Sequence, residues 1–517
     1  MTLRIGIDVG GTNTDAVLVM GANIVASTKS PTTRDVTSGI VTALADLRAK
    51  SDFAPEKIGA VMIGTTHFLN ALVEAHDLTP TAVIRLGLPA AASLPPFTDW
   101  PRSIVEACKG QAYMAHGGHE YDGREISLLR PDELRAHAQE AVAKGARSIA
   151  LSSVFSPVNI EGELAAADII RGEVGPDIPL SLSHRIGRVG LLERENATII
   201  NAALRELAER IVSGLSAAVV GEGITAPLYL CQNDGTLISL ESVRQHPVAT
   251  FSSGPTNSMR GAARLSGHSD CVVVDIGGTT TDVGVLQGGF PREAGQEVTL
   301  AGIRTNFRMP DVLSVGIGGG SRVRHNGARV GPDSVGSELR RHALVFGGDV
   351  LTATDIAVAA GHADIGSTGA AQRLSRSTVD AALERISHEI LDVADRMRTS
   401  SAPLPLVAVG GGAILLPKRL DGFGGVVRPD HFDVTNAFGA ATAQVSGEID
   451  RIYSVRESTR ASTRDEARFD AVDRAIASGA SPSSVEIVEF DEFPIPYLPG
   501  NAIRIRVKAV GDLDFGR

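Results

Sequence analysis

The sequence predicts a multidomain α/β protein that carries the same strand-turn-strand unit twice. Three observations carry that expectation. The chain has 517 residues, which at about 100–200 residues per domain corresponds to roughly three domains. Two segments, DVGGTNTD at 8–15 and DIGGTTTD at 275–282, agree at six of eight positions. Glycine supplies 56 of the 517 residues, about 11% against a usual ~7%, and much of it sits in tight clusters.

Each repeated segment lies between two apolar runs. Leu3 to Ile7 precede the first copy and Ala16 to Met20 follow it; Cys271 to Val274 precede the second and Val283 to Leu286 follow it. Each unit therefore reads as strand, tight Gly-Gly turn, strand. The paired glycines Gly10, Gly11, Gly277 and Gly278 allow positive φ and close approach of a ligand to the backbone. Successive N–H groups can then bind phosphate oxygens. The hydroxyls of Thr12, Thr14, Thr279 and Thr281 can donate further bonds. Asp8 and Asp275 fall at strand ends, where a carboxylate can hold Mg²⁺ directly or through water.

A third cluster, VAVGGGAILLP at 407–417, reads as a buried strand, a Gly turn and a helix start that could flank an adenosine. A fourth, SVGIGGGS at 314–321, has no role beyond its nearness to the second hairpin. SSGPTNSMRGAARLSG (252–267) and NAFGAATAQVSG (436–447) read as helices whose small residues permit a close crossing at a hinge. The chain contains no GxxxxGK[ST], which excludes a P-loop NTPase, and a strand rather than a helix follows each Gly-Gly, which disfavours a dinucleotide fingerprint.

Composition narrows the class further. With 43% apolar and 21% charged residues the chain can bury a core. Its net charge, 49 − 60 = −11, argues against a chain-wide nucleic-acid or anionic-membrane surface. Cys108, Cys231 and Cys271 are scattered, with no zinc or Fe–S spacing, and read as buried thiols of a reducing compartment. The N-terminus shows no signal-peptide pattern, and no apolar run is long enough to span a bilayer, so the expected location is the cytoplasm.

The order of these features (phosphate hairpin, small-residue helix, phosphate hairpin, Gly-rich loop, small-residue helix) resembles the actin-like ATPase superfamily. That resemblance implies two duplicated, ribonuclease-H-like α/β lobes with ATP between them. Longer segments resemble the hydantoinase/oxoprolinase family, at its ATP-binding hydantoinase A chains: GTTHFLNALVE (64–74), LSLSHRIGRVGLLERENATIINAAL (180–204), LYLCQNDGTLIS (228–239), FSSGPTNSMRGAA (251–263), VGPDSVG (330–336) and LTATDIAV (351–358). The sequence departs from that family at Ile63, where many members carry His, and at Ser337-Glu338-Leu339-Arg340, where many carry a Cys-containing stretch. The tail after the second small-residue helix is also shorter than the family's usual C-terminal domain.

The resemblance implies ATP-dependent opening of a cyclic amide (hydantoin, 5-oxoproline or a related lactam or imide) by phosphoryl activation of its carbonyl. Gly10, Gly11, Thr12, Asn13, Gly277, Gly278, Thr279 and Thr280 would cradle phosphates, and Gly410, Gly411 and Gly412 would flank the adenosine. Asp8 and Asp275 would hold Mg²⁺ and serve catalysis. Substrate-side candidates are Thr65, Thr66, His67, His184, Glu193, Arg194 and Asn201. His67 and His184 read equally well as structural histidines, Arg194 as a helix-surface ion pair, and Asp15 and Asp282 as hairpin caps or as groups that orient water. Alternative functions are a small-molecule kinase, a carboxylase-type carbonyl-phosphorylating subunit, and a nucleotide-switched binding protein. Expected partners are a small cyclic amide and either further copies of the chain or a second hydantoinase subunit or other co-encoded protein, with no nucleic acid and no membrane.

The expected domains are a first lobe at 1–268 with an insert at about 90–190, a second lobe at 269–449, and a small α/β appendage at 450–517. Within the insert, residues 93–125 read as a surface loop. A charged helix is expected at 455–478, with strands at 485–490 and 502–510.

Overall fold

The computed structural model describes residues 2–32, 36–295, 297–399, 402–420, 422–455, 457–496 and 501–515. The first lobe opens with β1 (Leu3–Val9), β2 (Asn13–Met20) and β3 (Asn23–Pro31), an antiparallel meander, followed by α1 (Val36–Ser51), β4 (Ile58–Thr65) and α2 (His67–Val73). β4 pairs parallel with β1, which brings Gly64 beside Asp8. Alternation along β1 decides its two faces. Ile5, Ile7 and Val9 enter the core under α1, while Gly6 and Asp8 face the opposite layer.

An insert follows. It contains β5 (Thr81–Leu88), α3 (Arg102–Ala107), β6 (Gln111–His116), α4 (Pro131–Ala143), β7 (Ser148–Ser153), α5 (Glu161–Val174) and β8 (Leu180–Leu182). These strands form a parallel sheet in the order β6-β5-β7-β8. The stretch 93–125, expected as a loop, thus contributes α3 and β6. Its turn residues dominate the local signal, but long-range pairing of β6 with β5 overrides them.

The chain returns through α6 (Leu191–Ala203) and α7 (Arg205–Gly221), then β9 (Leu228–Cys231), β10 (Thr236–Ser239), α8 (Leu240–Gln245) and α9 (Ser253–Ser266). α6 is buried along its whole length from Arg194 to Ala203. Ile199 and Ala202 pack on the insert sheet, and Ala197 and Ile200 on the first-lobe core.

The second lobe begins with β11 (Cys271–Ile276), β12 (Thr281–Gln287) and the short β13 (Phe290–Pro291). An arm, β14 (Val298–Leu300) and β15 (Ile303–Thr305), then crosses to the first lobe and buries Ile303, Phe307 and Met309 in that lobe's core. β16 (Val312–Val315), β17 (Ser321–Arg324) and β18 (Arg329–Ser334) follow, then α10 (Leu339–His342), α11 (Ala353–Ala359), α12 (Thr368–Ala371), α13 (Arg376–Met397), β19 (Leu406–Val409) and β20 (Val426–Val427). The lobe's sheet runs β13-β12-β11-β19-β20, with β16 also paired to β12.

The last segment contains α14 (Thr435–Ala441), β21 (Gln444–Ser454), α15 (Arg460–Ala477), β22 (Glu486–Pro494) and β23 (Ala502–Gly511). Residues 436–447, expected as one helix, are helical only to Ala441. From Gln444 the chain pairs with β10 and extends the first-lobe sheet, whose order among the described residues is β22-β23-β21-β10-β9-β4-β1-β2-β3. The α/β tail is therefore continuous with the first lobe's sheet.

The helices α9 and α14 fill the layer between the two sheets, and they cross on glycine. A Cβ on Gly439 would overlap the carbonyl oxygen of Asn257, and one on Gly261 would overlap that of Thr435. Gly6 of β1 likewise admits the backbone of α14. Neither lobe can give way there, because the atom met is backbone. We expect Gly439→Ala to cost more than about 2 kcal/mol through overpacking, read as a lower urea midpoint. Gly411→Ala, at a position with open space around it, should leave that midpoint unchanged.

Candidate active site

The two repeated hairpins have the same construction. Gly10 N–H donates to the Asn13 carbonyl at 3.1 Å, and Gly277 N–H donates to the Thr280 carbonyl at 2.9 Å. Their tips face each other, since a Cβ on Gly278 would sit 3.1 Å from Thr12 Oγ1. The expected positive φ does not occur at Gly10, Gly11, Gly277 or Gly278. At the tips the lack of a side chain provides space instead: Gly11 has no other heavy atom near its Cβ position. Thr279 and Thr280 are exposed at the second tip, and Thr12 and Asn13 border the first.

In each hairpin two carboxylates stand directly opposite across the strand pair, Asp8 with Asp15 and Asp275 with Asp282. Directly opposed residues share a face, so each pair points toward the helix layer. There α9 reads both lobes with consecutive side chains. Asn257 Nδ2 donates to Asp8 Oδ1 at 3.3 Å, and Ser258 hydrogen-bonds the Asp275 carboxylate. Asn436 of α14 donates to Asp8 Oδ2 at 3.0 Å. Lys29 holds Asp15 at 2.7 Å, and the Ser314 hydroxyl donates to Asp282 at 2.5 Å.

Burial, and then the charge of Asp15, pushes Asp8 up to about 6. Burial likewise raises Asp275 to about 7, with Asp282 and Asp8 adding to the rise. For both groups burial outweighs the pull of Lys29, and a divalent cation in the cleft would favour their charged forms. Among the described residues no three His, Cys, Asp or Glu side chains gather as a metal cage. Mg²⁺ commonly needs only one or two carboxylates, with phosphate oxygens and water completing its shell. Asp8 and Asp275 fit that role.

The third Gly cluster lies against the second hairpin. Gly412 N–H donates to the Ile276 carbonyl at 2.8 Å. Gly410 adopts φ 80°, and a Cβ there would overlap Asp275 Oδ1. Gly411 borders open space. The fourth cluster, for which sequence offered no role, supports the hairpin from below. Gly319 and Gly320 N–H donate to the Gly277 and Gly278 carbonyls at 2.9 and 2.7 Å. Reading this in sequence would have required knowing that the two loops stack.

Thr65, Thr66 and His67 leave β4 beside Asp8. The Thr65 backbone is bound on both sides by Ser253 at 3.3 Å, Thr65 Oγ1 meets His67 Nδ1 at 2.9 Å, and Thr66 accepts from Asn70 at 3.3 Å. His184 and Glu193 lie instead on the insert side. His184 Nδ1 bonds Glu163 at 2.7 Å, and Glu193 lies 3.7 Å from Arg304 of the arm.

Arg194 and Asn201 are both buried on α6. Arg194 is buried, not a surface ion pair, and bonds Ser183 Oγ and the Ser153, Arg188 and Gly190 carbonyls. Asn201 bonds Ser181 Oγ and the Gln245 carbonyl. The sequence reading also missed Asn257, Ser258 and Asn436. They are ordinary polar residues on small-residue helices until the fold brings them to the carboxylates.

Residues 4–174 match the hydantoinase/oxoprolinase N-terminal region, and residues 194–400 match the hydantoinase/oxoprolinase region. The chain belongs to the hydantoinase/oxoprolinase family. Curated relatives include caprolactamase subunit alpha of Pseudomonas jessenii (27% identical, 75% of this chain and 59% of that one) and the acetone carboxylase beta subunit of Xanthobacter autotrophicus (25%, 74% and 58%). The chain thus spans about three fifths of the length of such relatives. Among solved structures it resembles the ATP-dependent caprolactamase of Pseudomonas jessenii (TM-score 0.79, 20% identity, 99% of this chain, 88% of that one). It also resembles nucleotide-free acetone carboxylase (TM-score 0.68, 19% identity, 100% and 89%). These likenesses establish the two-lobed actin-like fold. No helix among the described residues is long and apolar enough to cross a membrane.

The carboxylates predict a pH dependence. A carboxyl raised above its ordinary 3.8 contributes stability that is present below about pH 4 and is lost as pH rises through about 6 for Asp8 and 7 for Asp275. In magnesium-free buffer the thermal midpoint of Asp275→Asn should therefore gain on wild type between pH 5 and 8. Equal slopes for the two proteins would remove Asp275 as the cause.

Proposed function

We propose that this chain is the ATP-handling part of an enzyme that opens a cyclic amide by activating its carbonyl. The observation that carries the reading is the pair of facing Gly-Gly hairpins, whose carboxylates are held by adjacent residues of one helix. Backbone N–H groups of residues 10–13 and 277–280 would cradle the phosphates, with Thr12 and Thr279 hydroxyls in reach of them. Asp8 and Asp275 would hold Mg²⁺, and Gly410 to Gly412 would flank the adenosine. ATP, when bound, supplies the phosphoryl group that turns the carbonyl oxygen into a leaving group.

The chain's own residues would chiefly position and neutralise. Thr65, Thr66 and His67 stand beside Asp8, where a substrate carbonyl would meet the γ-phosphate. His67, oriented by Thr65, would move the proton that ring opening requires. Asp15 and Asp282 keep charge on the same face. His184 and Glu193, expected as catalytic, stand apart from the hairpins on the insert side, and this reading assigns them no step.

The relatives named above act as subunits, which favours a partner chain, and the domain division at about 268 and 449 is part of this proposal. A second reading is a carbonyl-phosphorylating subunit of a carboxylase. It is favoured by the carboxylase relatives, including the acetophenone carboxylase gamma subunit of Aromatoleum aromaticum, at 27% identity over 69% of this chain and 53% of that one.

The purified chain with its co-encoded partner should release ADP faster when a lactam or hydantoin is added. Asp8→Asn and Asp275→Asn should each lower that rate at least 100-fold, and chelation of Mg²⁺ should abolish it. Stimulation by ketones with bicarbonate, and by no cyclic amide, would select the carboxylase reading and defeat the first.

A further inference from the structure

The insert borders a cavity of its own. Its strands are parallel, and in open parallel sheets ligands bind outside the carboxyl ends of the strands. The loops that leave those ends after β7 and β8 line a cavity of ≈ 800 Å³, closed on the other side by β21 and α15. None of the nucleotide hairpins reaches this cavity.

The loop after β8 is held more rigidly than a spacer requires. Asn306 of the arm accepts from Arg188 N–H at 3.1 Å and donates to the Arg188 and Val189 carbonyls at 3.2 Å. Arg194 donates to the Arg188 and Gly190 carbonyls at 3.2 and 3.1 Å. Two buried side chains thus spend much of their bonding capacity on the backbone of one loop.

That loop presents His184 with its ring orientation set. The fully buried Glu163 accepts from Ser183 N–H at 2.7 Å, from His184 N–H at 3.2 Å and from His184 Nδ1 at 2.7 Å. A carboxylate only accepts, so Nδ1 carries a hydrogen, and in the neutral ring Nε2 is the acceptor.

The charge around His184 is one-sided. Arg185 and Arg474 both line the cavity, and among the described residues neither has a carboxylate within ion-pair distance. The two acids in the wall are already engaged: Asp450 by Arg504 at 2.6 Å and Glu448 by Arg308 at 2.7 Å. His246 lies on the same wall. Burial, then Arg205 and Arg185, push it down to about 4.

We propose that this cavity binds a small organic molecule through an oxyanion, a carboxylate or a phosphate, held by Arg185 and Arg474, with His184 Nε2 accepting a hydrogen bond from the ligand's neighbouring polar group. Guanidinium groups suit both oxyanions. The binding needs no nucleotide, so it stands or falls separately from amide opening.

The test follows the His184 ring by NMR in the full-length protein labelled with ¹⁵N-histidine, with the signal assigned by His184→Gln. Inorganic phosphate and succinate are titrated separately at low ionic strength. A saturable shift of the His184 signal with at least one probe is expected, and the probe that saturates identifies the group. Arg185→Ala should weaken that binding at least tenfold, and the Arg185→Ala/Arg474→Ala pair should remove it. Both side chains are exposed, so these variants should keep the wild-type melting midpoint. Linear, non-saturating shifts with both probes, or saturation unchanged in the double variant, would overturn the site.

Discussion

The close crossing of α9 and α14 is the constraint on which the rest of the molecule depends. α9 packs on the second lobe's β11 and β19 and reaches β4, α14 packs on β1, β2 and β4 of the first lobe, and the two helices meet without side-chain bulk at the contact. Gly261, Gly439 and Gly6 make that possible. Because the backbones are close, Asn257 and Ser258 can reach carboxylates belonging to different lobes. A looser crossing would separate Asp8 from Asp275, and with it the two hairpins that face each other over Thr12 and Gly278.

A second tie holds the lobes away from the cleft. The arm of β14 and β15 leaves the second lobe and packs into the first, with Phe307 edge-on to Phe251. At its base Glu293 pairs with Arg188 of the insert at 2.9 Å and with Arg506 of the tail at 2.7 Å. Arg308 on the same arm reaches Glu293 and Glu448. These charges are half-buried, so separating them would leave each unpaired in a poorer solvent than water. They join the arm, the insert and the last segment at one place. The insert is fastened the same way. Arg85 forms a fully buried fork to Glu195 of α6, and Ser152 donates to the same carboxylate at 2.6 Å. Segments that sequence presents as separate units are locked through paired charge.

Much of the site was legible because it uses the same device twice. The repeated DxGGTxTD segments announced both hairpins, and their strand pairing followed from the apolar runs around them. The helical reading of 252–267 held for the same reason, as small-residue periodicity is a local property. The 436–447 segment broke at Gln444, where pairing with β10 outweighed helix propensity. The fourth Gly cluster had no assignable role until its N–H groups were seen to support the second hairpin.

Arg194, Glu195 and Asn201 show the limit most plainly. In sequence they lie in a polar, family-like stretch, and Arg194 and Asn201 read as substrate-side candidates. In space α6 is enclosed between two layers, and those side chains bond buried neighbours: Arg194 the Ser153 carbonyl, Glu195 the Arg85 guanidinium and the Ser152 hydroxyl, and Asn201 the Ser181 hydroxyl and the Gln245 carbonyl. Burial is not a property of a residue's neighbours in the chain, so no local pattern could place those side chains.

The sequence by itself determined the duplicated hairpins, the Gly-rich turns and the family, because each depends on residue type at short spacing. The tertiary structure decided which polar groups meet. It placed Asn257, Ser258 and Asn436 on the carboxylates, stacked residues 318–320 beneath the second tip, and set His184 on Glu163 across an Arg-lined cavity. The physical reason is that hydrogen bonds and ion pairs act over a few ångströms. Partners such as Asn436 and Asp8, far apart along the chain, become neighbours only once the core and the helix crossing have fixed their distance.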